Sequence, residues 1–164
     1  MMSNFEEGLK ILEDRCGNYK DNIISLATIA LNTGENGEAI PCVREVDAYY
    51  EDGAFYIITW TNSSKLKQIS KNPEVAFAVS NAWISGNGTA QNLGWLFDPK
   101  NEEIKNKLRK AFSAWFDHAV SGQDPNCLIL TIRIKNAVVI KDYGAVRYYL
   151  DFINKTAQDK PVVV

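Results

Sequence analysis

The chain has 164 residues, 46% of them apolar and 23% charged, with a formal net charge of -2. This describes one ordinary globular domain with room for a core and one main ligand site, and leaves little scope for disorder. The acidic balance gives no overall attraction to nucleic acid or an anionic membrane. Cys16, Cys42 and Cys127 are odd in number and far apart, so they indicate neither a disulfide framework nor a zinc knuckle and read as small buried hydrophobes.

The start of the chain, "MMSNFEEGLKILEDRC", is acidic where a secretory signal is basic and then apolar, and no later apolar run reaches membrane-spanning length. The expected location is the cytoplasm. Ser3 followed by Glu6 forms a capping box, and Phe5, Leu9, Leu12 and Cys16 fall on one face of the helix it opens. The pattern then turns to strands: "IISLATIAL", the loop "NTGENGE", "AIPCVREV" and, across a turn at Asp52 and Gly53, "AFYIITW". A short helix is expected from a Ser64 cap to just before Pro73, with Leu66 and Ile69 inward. "EVAFAVS" and "AWISGNGTAQNLGWL" follow as strands, with Gly86 and Gly88 marking a bulge or a close backbone approach at an edge or interface. Asp98 and Pro99 open what reads as the longest helix, carrying Ile104, Leu108, Phe112 and Trp115 and ending near Gly122. "NCLILTIRIKNAVVIKDYG" reads as two strands joined by a turn at Lys135 to Ala137, and residues 145–164 have no clear assignment. The order implies a mainly β chain, a closed or nearly closed antiparallel barrel with peripheral helices. No dinucleotide fingerprint supports a doubly wound sheet.

The unusual stretch is "TWTNSSKLKQISKNP". Helix starts favour anions, yet this one carries Lys65 and Lys67 in its first turn beside Ser63 and Ser64. A bound phosphate reverses the balance, because first-turn amides and hydroxyls donate to it and Lys65 pairs with it. Arg44 leaves a neighbouring strand and can reach the same anion bidentately. The bland alternatives are a serine-capped helix with solvated lysines, and a surface ion pair between Arg44 and Glu45, Glu51 or Asp52.

These residues, with "SLATIAL", "AIPCVREV" and "GAFYIITWTNSSKLKQISKNPEVAFAV", resemble the pyridoxamine 5'-phosphate oxidase-like family of FMN-binding split barrels, over roughly residues 23 to 89. The resemblance implies an antiparallel Greek-key split β-barrel with peripheral helices, one FMN-binding split-barrel domain over 1–164. It also implies FMN as cofactor, with Arg44, Ser64 and Lys65 around the phosphate. Thr59, Trp60 and Thr61 then lie along the isoalloxazine and ribityl edge, and Pro41, Cys42 and Val43 line the ring. It implies a homodimer with flavin sites at the subunit interface, where Trp83, Gly86, Gly88, Trp115 or Phe116 reach the partner's flavin. The chain departs from the authentic oxidase in "KDYGAVRYYLDF", which has Arg147 but no tryptophan before it. It looks more like the oxidase-related, general-stress-protein branch, so oxidation of pyridoxamine phosphate is not expected.

With a flavin carrying the redox step, a missing acid/base dyad is no objection. The single histidine, His118, reads as satisfied by helix-end carbonyls, and the acidic residues show no metal-ligand spacing. The expected function is therefore FMN-dependent oxidation or reduction of a small organic substrate. A flavin-storing or sensing protein and a haem- or deazaflavin-binding barrel stay open. So does a nucleic-acid barrel stacking bases on Tyr49, Tyr50 and Trp60, which the acidic balance disfavours.

Overall fold

The computed structural model describes residues 1–120 and 122–159, so the last five residues of the unassigned tail lie outside the described residues. Ser3 caps α1 (Asn4–Cys16) in the expected box: its hydroxyl accepts from the Glu6 amide, and the Glu6 carboxylate accepts from the Ser3 amide at 2.7 Å. Its apolar face buries Phe5, Leu12 and Cys16. The strands that follow are β1 (Asn22–Ile29), β2 (Pro41–Glu51) and β3 (Ala54–Trp60). Asp52 (φ 48°) and Gly53 (φ 76°) make the tight turn between the last two, with the two positive φ values that a right-twisted hairpin selects. Then come α2 (Ser64–Lys71), β4 (Glu74–Val79), β5 (Ile84–Trp95), α3 (Glu102–Ala111), α4 (Phe116–Ala119), β6 (Cys127–Lys141), β7 (Val146–Asp151) and β8 (Thr156–Gln158).

All pairings are antiparallel, in the order β3-β2-β1-β4-β5-β6-β7-β8, and an additional β3–β6 pairing closes six strands into a barrel. Strand β6 pairs with β5 along most of its length and divides its other edge between two strands. On that edge Cys127 to Arg133 pair with β3, and Asn136 to Lys141 pair with β7. Between them Lys135 is skipped in the register with β5, since Asn87 faces Asn136 while Gly88 faces Ile134. The turn expected at Lys135 to Ala137 is therefore a β-bulge inside one 15-residue strand, an irregularity that draws on the same short polar residues as a turn. A Cβ on Gly86 would overlap the Asn136 carbonyl oxygen, and one on Gly88 the Arg133 carbonyl oxygen. Close approach of β6, rather than positive φ, is what requires glycine there. Gly88→Ala is expected to lower stability by about 1–3 kcal/mol in urea unfolding, and an unchanged midpoint would contradict this packing.

The helix expected to be longest is interrupted, and α1 with its 13 residues is longer than any piece of it. A 3-10 turn over Pro99–Asn101, capped by Asp98, precedes α3, and the chain leaves helical geometry at Phe112 before α4 resumes. The break lets Phe112 and Trp115 stack at 4.8 Å between ring centres. Gly122, at φ 64°, lies beyond the end of α4.

Two cores result from the alternation along β3. Phe55 and Ile57 point into the barrel with Ile24, Leu26, Phe77, Leu130 and Ile132. Tyr56, Ile58 and Trp60 point outward, where Leu96, Leu108, Phe112 and Phe116 cover them. The Trp115 indole N–H fastens this outer layer to the start of β1 by donating to Asp21 Oδ2 at 3.0 Å, while Asp21 Oδ1 is buried without a partner. Burial, reinforced by Asp47 and opposed by the Trp115 hydrogen bond, pushes the Asp21 carboxyl up to about 6. A carboxyl raised in the folded state binds more protons there than when unfolded, so stability falls as pH rises from about 4 through 6. The melting temperature is expected to rise on acidification from pH 7 to 5 and to lose that component in Asp21→Asn; an identical pH profile in the variant would contradict this assignment. No helix among the described residues is long and apolar enough to cross a membrane.

Candidate functional site

Strands β1 and β2 run antiparallel with Leu26 opposite Arg44 and Thr28 opposite Cys42. Along β1 the inward face reads Asn22, Ile24, Leu26, Thr28, so a hydroxyl ends an otherwise mostly apolar row. Along β2, Cys42 and Arg44 share the more sheltered face, and Pro41, Val43 and Glu45 face outward. Helix α2 lies against β1 and presents Leu66, Gln68 and Ile69 inward. These choices put Arg44, Thr28 and Gln68 in one cluster. Arg44 Nη1 donates to Thr28 Oγ1 at 2.6 Å and to the Leu26 carbonyl at 3.3 Å, and Nη2 donates to Gln68 Oε1 at 2.9 Å. Thr28 Oγ1 also donates to Gln68 Oε1, at 2.5 Å.

The ion pair that would explain Arg44 as a surface residue is not formed. Glu51 is taken by Lys107 at 2.7 Å, and among the described residues no carboxylate pairs with Arg44. Lys65 likewise has no carboxylate partner among them. Burial pulls the Arg44 guanidinium below its ordinary range, and burial followed by the Arg44 charge pulls the Lys65 ammonium down too. Two partly buried cations thus bear on each other with no carboxylate partner among the described residues, an arrangement that costs free energy unless an anion joins them.

The cap of α2 is Ser63, not Ser64. Ser63 Oγ accepts from the Leu66 amide at 3.4 Å and lies 3.0 Å from Thr59 Oγ1. The reason is register: the Ser63 amide is held by the Trp60 carbonyl, which sets Ser63 in the extended conformation a cap needs. Ser64 becomes the first helical residue, exposed beside Lys65, with its amide among the unpaired first-turn donors.

The remaining expected residues are dispersed. Cys42 joins the cluster, its Sγ 3.6 Å from Gln68 Nε2. Thr59 is fully buried and braces Ser63, and Thr61 Oγ1 donates to Asn126 Oδ1 at 3.0 Å. Pro41 and Val43 are exposed on the outer face of β2, and Trp60 points into the layer under α3. Trp83 is 59% exposed, Gly86 and Gly88 lie against β6, Phe116 is buried, and Trp115 is held by Asp21. Sequence reasoning missed Thr28 and Gln68. Both were signalled by a polar residue on an otherwise apolar inward face. A separate cavity of about 930 Å³ lies at the other end of the barrel, under α1, between Phe5, Leu9, Arg133 and Phe152.

No family model matches the sequence, and a search of the curated proteins finds no match. Solved structures do match in shape. General Stress Protein 26 from Bacillus anthracis str. Sterne is 18% identical, over 89% of this chain and 98% of its own, with a TM-score of 0.59. A pyridoxamine 5'-phosphate oxidase-related, FMN-binding protein from Nostoc punctiforme is 14% identical over 99% and 98%, with a TM-score of 0.60. This chain has the split-barrel fold. A heme-binding protein from Mycobacterium smegmatis is built on the same split barrel, 14% identical over 86% of this chain and 57% of its own, with a TM-score of 0.61. At these identities the shared property is the split barrel itself, and the ligand must be argued from the corner.

Proposed function

We propose that the chain is an FMN-binding flavoprotein, an oxidoreductase acting on a small organic substrate, with the cofactor phosphate held by Arg44, Lys65 and Ser64. The observation that carries this reading is the pair of partly buried cations, Lys65 in the first turn of α2 and Arg44 on β2 against the same helix, with no carboxylate partner among the described residues. A phosphate dianion supplies the missing charge, accepts from the two guanidinium N–H groups that Thr28, Leu26 and Gln68 leave free, and accepts from first-turn amides. When bound, FMN supplies the redox chemistry at its flavin ring. The chain's own residues bind and orient: Arg44 and Lys65 fix the phosphate end, and the β2 backbone beside Cys42 provides an edge for the ring. Haem propionates are anions too, so the cations alone do not separate the two cofactors; what disfavours haem is that the one histidine, His118, is exposed on α4 and is not among the residues of this corner.

Two copies are proposed to complete the site. Val43 is 70% exposed, and Ile23, Leu31 and Ile40 are exposed with it around β1 and β2, an apolar surface beside the cationic corner that a second subunit would cover. The proposed setting is cytoplasmic, where reduced flavin and free thiols persist.

Purified protein is expected to be yellow, with flavin absorbance bands. Lys65→Ala is expected to weaken FMN binding about tenfold, the loss of one charge-assisted contact, measured by flavin fluorescence titration. Wild-type affinity in that variant would contradict the phosphate assignment. A purely flavin-storing protein would use the same corner, and substrate-dependent bleaching of the bound flavin separates the two.

A further inference from the structure

We propose that Gln68 determines the charge of the anion site: its neutral carboxamide holds the Arg44 guanidinium in place without neutralising it. This rests on the corner being a phosphate site. Gln68 is 9% exposed and Thr28 1%. Together with the Leu26 carbonyl they are the acceptors that Arg44 finds, namely a carboxamide, a hydroxyl and a peptide oxygen, none of them charged. A sheltered arginine is ordinarily matched by a carboxylate. Glutamate at position 68 would have the same shape as glutamine and would accept the same two bonds from Arg44 and Thr28, with both ending on a charged oxygen. Such a residue would suit the empty protein better and serve a phosphate worse, because it would cancel the guanidinium charge and repel the ligand. The glutamine gives up that stabilisation and keeps the cation available.

The orientation of the amide follows from its partners. Oε1 faces two donors, Arg44 Nη2 and Thr28 Oγ1, and Nε2 faces the Cys42 sulfur, a weak acceptor. Turning the amide over would set N–H against the guanidinium N–H, so the carbonyl side is fixed toward Arg44. Gln68 is thereby a positioning residue. With Thr28 and the Leu26 carbonyl it fixes three of the five N–H groups of Arg44 and leaves two uncommitted.

FMN and riboflavin differ only in the phosphate, which makes their affinities the test. The full chain, freed of any co-purified cofactor, is titrated with each as wild type, Gln68→Glu and Gln68→Ala, and the melting temperature of each apoprotein is recorded. Gln68→Glu is expected to raise the FMN Kd at least about thirtyfold, to leave the riboflavin Kd within about threefold, and to keep or raise the melting temperature. Gln68→Ala is expected to lie between, again sparing riboflavin. A merely structural glutamine would lower the melting temperature and weaken both ligands alike. The inference is overturned if Gln68→Glu binds FMN within about threefold of wild type, or if both ligands weaken equally. Should Gln68→Glu fail to fold, the same comparison in Gln68→Ala decides: selective loss of FMN supports the inference and equal loss overturns it. Wild-type protein that takes neither flavin overturns the flavin reading instead. Inorganic pyrophosphate then replaces the flavins in the same variants. Binding lost in Gln68→Glu supports the role of Gln68, and unchanged or absent binding overturns it.

Discussion

Arg44→Ala is expected to weaken FMN binding about a hundredfold or more, a loss of roughly 3 kcal/mol, while riboflavin affinity changes little. The effect should exceed that of Lys65→Ala because the guanidinium is held on three sides and meets the phosphate with two fixed donors, whereas the lysine is a point charge on a flexible stem. Arg44→Lys should recover only part of the loss, since an ammonium cannot hold Thr28 and Gln68 and also present two parallel N–H groups. The variant also leaves Thr28 and Gln68 buried with one donor fewer, so a drop in stability of about 1–2 kcal/mol is expected alongside. Fluorescence titration with FMN and riboflavin, compared with urea unfolding, separates the two effects. Equal loss of both flavins would mean that Arg44 supports the fold and not the phosphate.

Phe55→Ala is expected to destabilise the chain by about 3–5 kcal/mol, a large share of the roughly 5–15 kcal/mol that holds a domain folded. Phe55 is fully buried where the hairpin, β4 and β6 converge, with its ring 5.4 Å from Tyr50 and 5.2 Å from Phe77. It sits opposite Ile132 in the β3–β6 pairing that closes the barrel, so a cavity there loosens the seam as well as the core. Phe55→Leu keeps most of the volume and should cost about half as much or less. Chemical unfolding followed by tryptophan fluorescence checks both. A loss below about 1 kcal/mol in Phe55→Ala would mean that the seam, and not the core, carries the stability.

The barrel was legible because β1 and β4 alternate, β3 and β6 are strongly apolar, and the turns carry Asp52, Gly53 and the loop glycines, all local signals. What failed was non-local. The bulge at Lys135 looks like a turn in sequence because only the register with Asn87 and Gly88 shows the strand continuing. The break at Phe112 is set by packing under the barrel wall, which a periodic apolar stripe does not encode. At the corner, the lysine in the first turn and the arginine on β2 were visible from charge alone, and the structure places them close enough for one to depress the other. The cap shifted by one residue because Ser63 and Ser64 are chemically alike and the Trp60 carbonyl decides between them. Thr28 and Gln68 were overlooked because each is unremarkable in its own segment and acquires meaning only when β1, β2 and α2 meet. The outward turn of Val43 and Trp60 follows from strand alternation, which a linear listing of neighbours along the chain ignores.

The most direct test of the central claim is a crystal structure of the full chain with FMN. The phosphate is expected within hydrogen-bond distance, about 2.7–3.2 Å, of the Arg44 guanidinium, with the Lys65 ammonium and the first-turn amides of α2 on its other side. FMN bound elsewhere, or Arg44 and Lys65 found paired with carboxylates of this chain or a second copy while the corner excludes the ligand, would contradict it.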